Sequence, residues 1–131
     1  MQISKKYLEI TILSRRSFII DFCQNQLREF GRISVINSLN LSDLRKNSVL
    51  ILDVLSFYSQ VSLFFKLNIN YPENIFFLIS QECDNSVLNI CEKKYANIVY
   101  FPSTFELIRN YCKKLSAIVD LSYYIDIGKM I

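Results

Sequence analysis

The stretch Ser48-Val49-Leu50-Ile51-Leu52-Asp53 is a short run of β-type residues that stops on a carboxylate, and comparable runs stand before and after it. Tyr7 to Leu13, Ile33 to Asn37, Val49 to Asp53, Ile75 to Ile79 and Ile98 to Phe101 are five strand candidates. The segments between them carry apolar residues at helical spacing. Strands alternating with helices predict an α/β fold, a parallel sheet covered on both faces. In such sheets chemistry gathers beyond the carboxyl ends of the strands. The residues there are Ser14, Arg15, Asp53, Ser80 and Phe101.

The helical segments follow the same logic. From Ser17 to Phe30, residues Ile19, Phe22, Cys23, Leu27 and Phe30 make one apolar face, and Gly31 is placed to close the helix as a C-cap. Leu41 to Lys46 allows a short helix. Phe57, Val61, Phe64 and Phe65 make another stripe, ended before Pro72, and Val87, Leu88, Cys91 and Tyr95 make a fourth. The last helix is the longest, with Phe105, Ile108, Tyr111, Cys112, Leu115, Ile118 and Val119 on one face. Ser103 or Thr104 is expected to cap its first turn. The tail from Leu121 to Ile131 is unusually apolar for a chain end.

A chain of 131 residues, 51% hydrophobic and 14% aromatic, has material for one domain with a buried core. The expected core runs from about residue 7 to residue 115, with 116–131 as a C-terminal extension or linker. No apolar stretch approaches the roughly 18 residues of a membrane span, and Met1 to Lys6 is not followed by a signal-peptide core, so a cytoplasmic protein is expected. Cys23, Cys83, Cys91 and Cys112 form no C-x-x-C pair and histidine is absent, which argues against zinc and predicts free, mostly buried thiols. The net charge is only +3, and the basic doublets Lys5-Lys6, Arg15-Arg16, Lys93-Lys94 and Lys113-Lys114 fall in different elements. Nucleic-acid binding by this domain is not indicated.

Five strands and five helices with an Asp ending the third strand resemble the receiver domain of bacterial two-component response regulators, over about Tyr7 to Leu115. Asp53 stands at the phospho-acceptor strand, and Ser80, 27 residues on, matches the Ser or Thr that ends strand four. Tyr100-Phe101-Pro102 sits where receivers have a Lys-Pro step. The resemblance implies a doubly wound, flavodoxin-like sheet of order 2-1-3-4-5 with an extended helical tail. It also implies lost chemistry: Ser14 and Arg15 occupy the positions of the acidic pair that holds Mg²⁺, and Phe101 replaces the lysine. A guanidinium cannot ligate a cation. Ile98 stands where many receivers keep a switch aromatic. Asp53 and Ser80 then persist for structural reasons, or Arg15 lies against Asp53 and locks the site with an ion pair.

Receivers lacking this machinery occur among the atypical LuxR/FixJ-type (NarL-like) transcription regulators, including regulators of curli, biofilm and virulence genes, and the chain is similar to their N-terminal domains. The function so implied is a phosphorylation-independent pseudo-receiver, not an enzyme, that forms a homodimer. Ile118, Leu121, Tyr123, Tyr124 and Ile125 are candidates for the interface, and DNA is contacted only through a helix-turn-helix, for which the residues after Leu115 are too few by the roughly 50-residue measure of a three-helix unit. Members that bind cyclic di-GMP use a Trp and an Arg in an extra helix. The tail here has neither, so no cofactor is expected. The alternatives are a free-standing adaptor or antagonist of another regulator, a noncanonically phosphorylated receiver, and an anion-binding domain using Arg15, Arg16 and Ser17 at a helix N-terminus.

Overall fold

The computed structural model describes residues 7–38, 48–61, 74–83 and 97–130, with the backbone alone at 122–124, 126, 127 and 130. Five strands, β1 (Glu9–Leu13), β2 (Arg32–Ile36), β3 (Ser48–Asp53), β4 (Ile75–Ile79) and β5 (Asn97–Tyr100), form one sheet of order β2-β1-β3-β4-β5. Every pairing is parallel. This is the flavodoxin-like order. Each strand lies within two residues of the span its sequence predicts.

All six residues of β3 and all five of β4 are buried, as central strands covered on both faces require. Because successive side chains alternate across a strand, the apolar run divides into two cores. Ile10, Ile12, Val49, Ile51, Phe76, Leu78 and Val99 face one side, under Ile19, Cys23 and Leu27 of α1 (Ser17–Leu27), Ile108 and Cys112 of the C-terminal helix (Glu106–Met130) and Phe105 just before it. Leu13, Leu50, Leu52, Phe77 and Ile79 face the other, against Val54, Phe57, Val61 and Cys83. Residues 58–61 are helical, and the Val61 N–H donates to the Phe57 carbonyl at 2.9 Å. The helices expected around Leu41–Lys46, beyond Val61, and over Asp84–Ala96 lie outside the described residues.

Two local expectations are corrected. Gly31 is not a left-handed helix cap: α1 ends through Arg28 in the right-handed region, its N–H donating to Gln24, and neither glycine has a positive φ. Gly31 is needed for close approach. A Cβ there would collide with the Leu8 carbonyl, whose oxygen accepts the Arg32 N–H at 2.8 Å to open the β1–β2 pairing. Neither Ser103 nor Thr104 stands immediately before the helix that opens at Glu106, and Thr104 Oγ1 instead accepts the Tyr100 N–H at 2.8 Å, closing the turn after β5. Glu106 does lie in the first turn, against its positive end. The apolar tail is not a loose end: the helix continues through it to Met130, about 37 Å in all.

Candidate functional site

Register places the site. Leu13 pairs with Leu52, Asp53 with Leu78 and Ile79 with Tyr100. The residues that follow, Ser14, Ser80 and Phe101, therefore gather with Asp53 at the carboxyl edge of the sheet. Ser14, Asp53 and Ser80 are all buried. A carboxylate this deep requires a counter-charge and hydrogen bonds to offset its lost hydration.

Arg16 supplies the charge. Its guanidinium grips Asp53 in a fork, Nε to Oδ2 at 2.8 Å and an Nη to Oδ1 at 2.5 Å. Oδ2 also accepts the hydroxyls of Ser14 at 2.8 Å and Ser56 at 2.9 Å. The same Nη that reaches Oδ1 donates to Ser80 Oγ at 3.0 Å, and the other Nη approaches the exposed Glu82 carboxylate at 3.5 Å. The bond to Asp53 holds the Arg16 guanidinium above its usual range, with burial opposing the effect. Glu82 is held below the usual carboxylate range, first by a hydrogen bond from Ser80, then by its own backbone, with Arg16 adding less. A line of alternating charge thus runs from the buried Asp53 through Arg16 to the surface.

The expected lock is present, but Arg15 does not make it. Arg15 turns the other way: its guanidinium lies 4.5 Å from the Phe57 ring centre and donates to the Ser56 carbonyl at 3.1 Å, while its N–H donates to Ser56 Oγ at 3.0 Å. The cause is the turn between β1 and α1. Arg16 is the extended residue that caps α1 (φ −108°, ψ 115°), so its side chain projects back over the strand ends. Arg15 is left facing the β3 side. The two guanidiniums are thus engaged with the protein's own acceptors at the place where an anion site was an alternative.

Phe101 packs away from the carboxylate. Its ring meets Phe22 edge-on at 4.8 Å and Phe18 at 6.1 Å, and its N–H donates to the Ile79 carbonyl at 2.7 Å. Ile98 is partly buried on the second core. A cleft of about 280 Å³ beside Ser80, Cys83, Tyr100 and Ser103 has no charged residue in its lining among the described residues. Among the described residues no group of three or more His, Cys, Asp or Glu side chains converges as a metal site would. Cys23, Cys83 and Cys112 are free and buried, as expected, and burial pushes Cys23 and Cys112 up to about 12. Cys91 lies outside the described residues.

Of the interface candidates, Ile118, Leu121 and Ile125 are exposed on the C-terminal helix. The side chains of Tyr123 and Tyr124 are outside those described. Among the described residues no helix is long and apolar enough to cross a membrane. Sequence reading named Arg16 only as a candidate for an anion site, not as the partner of Asp53, and missed Ser56 and Glu82. Ser56 carried a signal, standing three residues after Asp53 where a turn leaving the strand brings a hydroxyl back.

No family model, curated protein or solved structure matches this chain.

Proposed function

We propose that the domain is a phosphorylation-independent pseudo-receiver, the regulatory and dimerising module of a bacterial transcription regulator that works in the cytoplasm. The observation that carries this reading is the Arg16 fork on Asp53. Phosphoryl transfer to an aspartate requires a free carboxylate oxygen and a divalent cation to screen the incoming charge, and such a cation takes hard oxygen ligands. Here both Asp53 oxygens accept from Arg16, so a fixed positive charge already stands at the carboxylate that a cation would have to reach. Ser14 and Ser56 complete the carboxylate's coordination as donors. In this reading Arg16 supplies permanently the positive charge that a metal ion supplies in a phosphorylated receiver. DNA contact in this reading belongs to a separate helix-turn-helix unit.

The test is to add Mg²⁺ and beryllofluoride, a phosphoryl mimic, while following bound fluoride by ¹⁹F NMR and mass by sedimentation. No bound fluoride resonance and an unchanged mass are expected. A resonance that disappears in Asp53→Asn would show that Asp53 still takes a phosphoryl group and would overturn the reading.

A further inference from the structure

The turns that follow β4 and β5 stand side by side, because Ile79 pairs with Tyr100 and the Phe101 N–H donates to the Ile79 carbonyl at 2.7 Å. Each turn is closed on itself. After β4 the Cys83 N–H donates to the Ser80 carbonyl at 3.1 Å, and after β5 the Thr104 N–H donates to the Tyr100 carbonyl at 2.9 Å. Between these two fixed walls lies the cleft of about 280 Å³. Ligands of parallel α/β sheets bind beyond the carboxyl ends of the strands, usually where the strand order reverses. Here that point lies between β1 and β3, and the Arg16 fork on Asp53 occupies it. The cleft stands on the same edge of the sheet, further along, and its walls are formed in advance of any ligand.

Ile79, Ser80 and Cys83, at 2%, 5% and 9% exposure, are its deep residues. Tyr100 and Pro102 add apolar surface, and Gln81 and Ser103 are exposed at the mouth. The Ser80 hydroxyl is engaged with Arg16 at 3.0 Å, and Glu82 also turns to Arg16 rather than into the cleft. The amide of Gln81 and the hydroxyl of Ser103 both donate and accept hydrogen bonds. Neither can offset the dehydration of an ion, and among the described residues the lining holds no charge to do so. Phosphates, carboxylates and ammonium groups are therefore poor occupants. Adjacent strands lie about 4.8 Å apart, so the floor is narrow and suits a flat group standing on edge better than a branched one. The volume is at the lower end of small-molecule sites, which start at roughly 300 Å³, and this limits the occupant to one or two rings.

We propose that this cleft binds a small uncharged molecule with a flat one-ring or two-ring body and an amide-like polar group, the ring set over Ile79 and Cys83 and the polar group held by Gln81 and Ser103. Ser80 belongs both to the floor of the cleft and to the Arg16 network, so the bound molecule lies one residue away from the fork on Asp53. Binding here does not depend on how Asp53 is used.

Titration of the ¹⁵N-labelled full chain with benzamide, followed by ¹H–¹⁵N NMR, tests the site, with benzoate as a charged molecule of the same shape. Saturable shifts of the Gln81, Cys83 and Ser103 amides are expected, with a Kd of about 1–10 mM for a molecule of this size. Benzoate is expected to bind at least about tenfold more weakly. Ser103→Trp, made at the exposed mouth, should abolish the shifts at Gln81 and Cys83. Gln81→Ala, which truncates an exposed side chain, should weaken benzamide about fivefold and decides the matter if Ser103→Trp does not fold. A wild type without saturable shifts at these amides, shifts that survive Ser103→Trp, or a Kd unchanged in Gln81→Ala would overturn the site. Benzoate binding as tightly as benzamide would overturn the uncharged class of ligand. The beryllofluoride experiment reads Asp53 alone, so the pseudo-receiver and the cleft can each fail without the other.

Discussion

Replacing Arg16 with Met keeps most of the aliphatic stem and removes the charge, leaving Asp53 at 1% exposure with only the two serine hydroxyls. Breaking a buried ion pair by removing one partner costs about 3–5 kcal/mol. Arg16 is itself 18% exposed and the serines remain, so the expected loss is smaller, about 2–3 kcal/mol, or about 10 °C in Tm for a domain of this size. Asp53→Asn is expected to cost about 1–2 kcal/mol, because the guanidinium it strands keeps access to water and Glu82. The informative quantity is the coupling. In Arg16→Met/Asp53→Asn no buried charge is left unpaired, so the double variant should be more stable than the sum of the singles predicts by at least about 1 kcal/mol. Urea unfolding monitored by circular dichroism, with m-values compared across the four proteins, measures it. Costs that add to within about 0.5 kcal/mol would refute the claim that Arg16 and Asp53 act as one unit. Arg16→Lys should fall between wild type and Arg16→Met, since an ammonium supplies the charge without the two-toothed fork.

Gly31→Ala should destabilise by about 1–3 kcal/mol in the same urea assay, because the new Cβ collides with the Leu8 carbonyl rather than with a side chain that can move. Glu82 is held below its ordinary value of 4.5, so the stability it contributes is present above that pH and is lost as pH falls below it; Ser80→Ala, which removes the largest cause, should bring the Glu82 titration back towards 4.5 in a ¹³C carboxyl NMR experiment. Cys23 and Cys112, buried and pushed up to about 12, should resist maleimide at pH 8 in the native protein and react in urea, as read by peptide mapping; rapid native labelling at either position would contradict the core packing.

The sheet was legible because its central strands are buried on both faces and so leave an uninterrupted apolar signature, as Val49 to Leu52 and Ile75 to Ile79 do. Their order followed from the resemblance rather than from any residue. The strand ends were legible too, since alternation and strand length fix where Asp53 and Ser80 emerge. Which arginine meets Asp53 was not. Between Leu13 and Ser17 the chain leaves a strand and enters a helix, and neither the two-residue nor the 3.6-residue period applies there. A difference of one residue in that turn exchanges a guanidinium over the carboxylate for one stacked on Phe57. The role of Gly31 was hidden for a related reason, because a glycine after a helix reads as a cap unless the carbonyl of a distant strand is known to lie beside it.

Arg16 also solves a problem that the sheet itself creates. Parallel strands ending side by side leave Asp53 without water and with the first turns of two connections to anchor. Where a buried carboxylate at a sheet edge is held by a metal ion, the cation can come and go, so the connections around it can respond. In this chain the charge is covalently part of α1's capping residue and reaches Asp53, Ser80 and Glu82 together. The turn after β1, the end of β3 and the turn after β4 are therefore tied through one guanidinium. Withdrawing Arg16 would therefore loosen all three places at once.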